Sequence, residues 1–133
     1  MRHLRNPRPE PRGGGGEPLL GRAGFERARS VLSEWPGYAT TPLRDLPGLA
    51  GRLGIRCLFY KDEGDRFGIG SFKALGGAYA VFRHLEEVLA AGTGARRPSL
   101  PDLLGGACRE AASGVTVTAA TDGNHGRSVA WGA

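Results

Sequence analysis

Lysine is nearly missing from this chain: of eighteen basic residues only Lys61 and Lys73 are lysines, and arginine supplies the others. Cysteine is as sparse. Cys57 and Cys108 stand alone, with no Cys-x-x-Cys pair or histidine-rich neighbour, so no metal site is expected and both read as buried free thiols. No run of eighteen apolar residues occurs, and the arginine-, proline- and glycine-rich N-terminus has no apolar stretch behind it. Neither a membrane-spanning helix nor a secretory signal is expected, which makes a cytoplasmic location the default. A nucleic-acid partner is not expected either. The net charge is +5, but residues 1–29 hold seven arginines against three glutamates, so nearly all of the excess lies in that segment. The remaining chain is close to neutral, without the basic face interleaved with aromatics that a nucleic-acid surface needs.

What is present suits one domain with a real core: 133 residues, 40% apolar and 23% charged. Residues 1–22, with four prolines, the Gly13–Gly16 run and few apolar residues, read as an extended or disordered arm. Those four glycines are not a phosphate cradle, because no strand precedes them and no helix start follows them. From Gly24 to Glu34, Phe25, Ala28, Val31 and Leu32 recur at helical spacing until Trp35-Pro36-Gly37 ends the pattern. A turn through Thr40-Thr41-Pro42-Leu43 leads to a short helix from Leu46 to Leu53, closed by Gly54. The β-formers of Ile55–Tyr60 predict a strand, and the charged loop Lys61–Gly70 reads as solvated.

Ser71 is placed to cap a helix on which Phe72, Leu75, Tyr79, Phe82 and Leu85 repeat, running to Ala91 before Gly92 and Gly94. Lys73 therefore falls in the first helical turn, where free amides and the helix dipole favour an imine or a phosphate-bearing ligand nearby. Gly92–Ser113 reads as a connection with one minor helix between Leu103 and Ala112. Val115–Ala120 predicts a second strand, followed by the tight loop Thr121–Gly126 and a helix from Arg127. Two strand–loop–helix units in an open parallel sheet would bring Lys73 and the Thr121–Gly126 loop to one sheet edge.

An amine that can lose its proton can act as a nucleophile, which a guanidinium cannot, so a lone lysine beside a glycine loop invites a covalent role. Rival readings fit less well. A dinucleotide fingerprint needs glycine where Lys73 stands, a phosphate-binding loop needs Gly-Lys-Ser/Thr, and Ser71, His125 and Asp122 lack a nucleophile elbow. Surface exposure for Lys73, loop bracing for His125, a helix cap for Asp122, turn roles for Thr40 and Thr41 and core packing for Phe72 are the bland alternatives.

Three separate motifs carry a resemblance: Pro36-Gly37-Tyr38-Ala39-Thr40-Thr41-Pro42-Leu43; Lys61-Asp62-Glu63, Arg66-Phe67-Gly68 and Ser71–Gly77; and Ala120-Thr121-Asp122-Gly123-Asn124-His125-Gly126-Arg127. From about Val31 onward the chain resembles the fold type II pyridoxal-phosphate enzymes and, within them, the diaminopropionate ammonia-lyases. That resemblance implies an α/β, open parallel-sheet fold of the tryptophan synthase β-like class. Residues 23–133 would be the N-terminal portion of a catalytic domain, truncated at the C-terminus and lacking a later phosphate loop, so that the chain alone is expected to bind pyridoxal 5'-phosphate poorly and to be inactive.

The resemblance also implies residue roles. Lys73 would hold the cofactor through its amine and then act as a base at Cα, and Asn124 would hydrogen-bond the pyridoxal O3' oxygen. Thr121, Gly123 and His125 belong to a loop whose backbone amides would cradle the substrate carboxylate, and Asp122 would be the base toward the D-isomer. The implied reaction is α,β-elimination of 2,3-diaminopropionate to pyruvate and ammonia, by a full-length homodimer acting on a small amino acid. A serine or threonine dehydratase-like lyase and a non-catalytic remnant remain as alternatives.

Overall fold

A computed structural model of the chain describes residues 21–93, 96–121 and 123–133. The arm read over residues 1–22 lies outside them except at Gly21 and Arg22, and so do the Gly13–Gly16 run and Asp122.

Helix α1 spans Arg22–Ser33, β1 Leu43–Asp45, α2 Pro47–Leu53 and β2 Phe59–Lys61. A single 3-10 turn at Arg66–Gly68 precedes the long helix α3, Lys73–Thr93. Then come α4 (Leu100–Leu104), α5 (Arg109–Ala112) and α6 (Asn124–Gly132). The helices follow local signals. Proline opens α2, where its missing N–H is harmless, and Gly54 closes it at φ 66°, a left-handed backbone that an L side chain rarely adopts. Ser99 and Asp102 form a reciprocal capping box at the start of α4. The connection expected to hold one minor helix from Leu103 to Ala112 holds two short ones, because the capping box starts the first earlier and Gly105-Gly106 interrupts the run.

The strands depart from expectation. Among the described residues there is one sheet, the antiparallel pair β1–β2, with Leu43 opposite Lys61 and Asp45 opposite Phe59. The strand read over Ile55–Tyr60 is reduced to Phe59–Lys61, and Val115–Ala120 forms no strand. A strand exists only where a neighbour completes its hydrogen bonds, and no described segment pairs with Val115–Ala120. No parallel pairing occurs among the described residues.

The core gathers on one side of α3. Trp35, Ala78, Phe82 and Leu100 are buried together, with Val31, Leu32, Phe67, Tyr79 and Leu103 packed against them. Trp35 lies 5.9 Å from the Phe67 ring and 5.4 Å from Trp131, and Phe67 stacks on Trp131 at 4.9 Å, joining the end of α1, the 3-10 turn and α6. Buried Glu86 on α3 accepts from Arg27 on α1 and from Arg83 one turn away. The cysteines are not buried: Cys57 is exposed and Cys108 partly so. Cys57 falls in the stretch that does not become strand, so no sheet covers it.

Candidate active site

The charged loop between β2 and α3 is built around a buried cation rather than solvated throughout. Arg66 is 6% exposed, and its guanidinium meets Glu63 through two bonds, Nε to Oε2 at 2.7 Å and an Nη to Oε1 at 2.9 Å. It also donates to the Ala39 carbonyl at 2.7 Å and to Thr41 Oγ1 at 3.1 Å, while lying over the Tyr38 and Phe67 rings. Thr41, itself buried, donates its hydroxyl to Glu63, and Lys61 Nζ donates to the Thr41 carbonyl. A bidentate guanidinium–carboxylate pair suits burial because nearly every polar atom finds a partner. The Arg66 hydrogen bonds, reinforced by Thr41, hold the Glu63 carboxyl down to about 2 from its usual 4.5. Thr41 is thus a buried strut between two loops rather than a plain turn residue.

This strut fixes the approach to α3. Phe67 adopts φ 50°, a sparsely populated conformation for a bulky residue, while its ring is held between Trp35 and Trp131. The chain then turns into α3, where Ser71 Oγ accepts the Lys73 N–H at 3.2 Å. Lys73 opens the helix, as its place after Ser71 implied, and is partly buried. Among the described residues its Nζ has no hydrogen bond or ion pair, whereas Lys61 is tied to Thr41.

Lys73 faces a cleft of about 460 Å³ that it shares with Phe72, Gly76, Gly77, Ala120, Thr121 and His125. The two motifs read from the sequence therefore meet in space. The volume suits a small ligand. Phe72 is 64% exposed and lines this opening, so it is not a core packing residue. It sits on the solvent side of the helix start, opposite the face on which Ala74 and Ala78 are buried.

The far wall is organised by Thr121, whose Oγ1 accepts the N–H of Gly126 at 2.8 Å and of Gly123 at 3.3 Å. Gly123 sits at φ 150°, ψ −98°, a conformation essentially reserved for glycine, and this lets the chain enter α6 abruptly. The amides of Asn124 and His125, the first two of α6, have no acceptor among the described residues. Unpaired amides at the start of a nine-residue helix favour an anion. Both side chains are exposed; His125 lines the cleft and Asn124 does not. Ser128, which the sequence motifs did not single out, is fully buried between α3 and α6. Its only sequence signal is the small-residue spacing Ser128, Gly132 along α6.

A primary amine without a partner among the described residues, half-buried on a small cleft beside helix-start amides that have no acceptor among them, fits a carbonyl compound that carries negative charge. Pyridoxal 5'-phosphate has both features. Residues 34–133 match the family model described as pyridoxal-phosphate dependent enzyme, and the chain belongs to that family. It is similar to diaminopropionate ammonia-lyase of Salmonella typhimurium (strain LT2), 43% identical over 115 residues covering 86% of this chain and 28% of that protein. Against diaminopropionate ammonia-lyase of Escherichia coli (strain K12) it is 37% identical over 123 residues, 87% of this chain and 28% of that protein. The chain thus spans little more than a quarter of the length of these relatives. Among the described residues no helix is long and apolar enough to cross a membrane.

Proposed function

We propose that this chain supplies the lysine-bearing part of an enzyme that removes ammonia from 2,3-diaminopropionate by α,β-elimination. The observation carrying the reading is the meeting of Lys73, whose amine has no partner among the described residues, with Thr121 and His125 on one cleft. The names of its relatives support the substrate.

When bound, pyridoxal 5'-phosphate supplies an electron sink for charge left at Cα. Lys73 would hold it through the amine, and the Lys73 Nζ would accept the Cα proton. Asn124, at the start of α6 next to the cleft-lining His125, would help to hold the cofactor. The Asn124 and His125 amides receive the substrate carboxylate, so the free helix start sets the direction from which Cα meets Lys73. Within the loop, Thr121 and Gly123 act through the hydrogen bonds that shape it, and His125 closes the cleft beside Phe72. Asp122 serves as the base toward the D-isomer. Loss of the Cα proton would expel the β-amine as ammonia with cleavage of the Cβ–N bond, and water would then replace the remaining nitrogen, leaving pyruvate and a second ammonia. The active form is proposed to be a homodimer working on a small amino acid.

The test is an assay of the whole protein carrying this sequence for pyruvate and ammonia from D- and L-2,3-diaminopropionate, serine and threonine. Preference for diaminopropionate, with Asp122→Asn losing the D-isomer selectively, is the expected result. Turnover of serine or threonine alone would move the protein to the dehydratase-like class.

A further inference from the structure

Among the described residues, the hydrogen bonds between α3 and α6 all run through Ser128. Its hydroxyl donates to the carbonyl of Lys73 at 2.6 Å, with the Ala74 carbonyl at 3.3 Å, and accepts the N–H of Ala78 at 3.1 Å. A hydroxyl has a single proton to give, so the shorter contact to Lys73 dominates, and the side chain has no exposed surface. Gly77 leaves room for it: a Cβ there would lie 2.9 Å from Ser128 Cβ and closer still to its Oγ. Four residues earlier on α6 is Asn124, and between them Gly126 closes against Thr121, whose methyl occupies the space a Gly126 side chain would need. Ser128 thus touches the Lys73 backbone, Gly126 touches Thr121, and the backbone of α6 joins the two contacts.

We propose that Ser128 is a positioning residue of the lysine site: by gripping the Lys73 carbonyl it fixes where the amine stands relative to the Thr121–His125 loop. The proposal rests on reading Lys73 as the amine that captures the cofactor, and its test separates the two. The full chain is mixed with pyridoxal 5'-phosphate, reduced with borohydride, and the adduct at Lys73 is compared with that at Lys61 by peptide mapping. Borohydride collects even a weak encounter, and Lys61 is the internal reference. Ser128→Ala is expected to lower the Lys73-to-Lys61 ratio about tenfold, the loss of one buried hydrogen bond. Ser128→Cys, a poorer donor, should fall between. Gly132→Ala is the packing control. A Cβ at Gly132 would lie 2.6 Å from Ala78 Cα, so it strains the same helix pair while keeping the Ser128 hydroxyl itself, and it is expected to lower the ratio less than Ser128→Ala does.

An unchanged ratio in Ser128→Ala, or an equal fall in Gly132→Ala, overturns the positioning role while leaving the capture reading intact. If the unaltered chain shows no preference for Lys73, the capture reading fails. Amide exchange then decides the positioning role: faster exchange at Gly126 in Ser128→Ala but not in Gly132→Ala supports it, and identical exchange overturns it. The same exchange measurement reports on Ser128→Cys should Ser128→Ala not fold.

Discussion

Glu63 and Arg66 bear on stability through one carboxylate. The Arg66 hydrogen bonds depress the Glu63 pKa to about 2, so Glu63 is charged in the folded chain over a wider acid range than in the unfolded one. A depressed pKa contributes stability in full above the unfolded value of 4.5 and loses it as pH falls toward about 2. The linkage is on the order of 3 kcal/mol. Denaturation followed from pH 7 to pH 2 is expected to show stability falling below about 4.5, with a smaller fall in Glu63→Gln. Glu63→Gln should itself cost roughly 3 kcal/mol at neutral pH, measured by urea unfolding, because it leaves the Arg66 charge buried without its partner. The same short stretch also contains Asp62, whose carboxyl is lowered by the Arg44 hydrogen bond at the exposed surface, where water screens the pair.

Helices α3 and α6 form the close contact that brings the two motifs together. Glycine at 77 and 132 and serine at 128 let their backbones approach, and Ser128 fills the space opposite Gly77. Gly77→Ala is therefore expected to push the helices apart and to destabilise the chain by about 1–3 kcal/mol, read as a lowered urea midpoint. An unchanged midpoint would contradict the packing. The helices were legible beforehand because their signals are local: Phe25, Ala28, Val31 and Leu32 on α1, Pro47 and Gly54 around α2, and Ser71 before α3. What could not be read depends on partners distant in sequence. Arg66 is buried by Thr41 and Ala39, 25 and 27 residues away, so its density of charged neighbours suggested solvent instead. Ser128 meets Lys73 across 55 residues. Strand identity failed for the same reason, since Val115–Ala120 has β-forming side chains but no described neighbour to pair with.

As a whole, the described residues make an α-rich arrangement with a two-stranded ribbon, in a family whose fold is the tryptophan synthase β-like class. The meeting of Lys73, Thr121 and His125 on one cleft was legible although the sheet was not, because each belongs to a motif whose residues lie close together in sequence. Several large apolar side chains face solvent, among them Leu43, Phe59 and Tyr60 on the ribbon, and a second, apolar groove of about 680 Å³ runs between Trp35, Phe82, Leu103 and Trp131. Exposed apolar surface of this kind favours association. Sedimentation velocity over a range of concentrations is expected to show the chain associating, and a monomer at every concentration would count against it. The central claim is that Lys73 is the cofactor-bearing amine. Its most direct test is borohydride reduction of the chain with pyridoxal 5'-phosphate, followed by mapping of the adduct: the account predicts the pyridoxyl group on Lys73 and its loss in Lys73→Arg, whereas equal labelling of Lys61 and Lys73, or labelling of Lys61 alone, would contradict it.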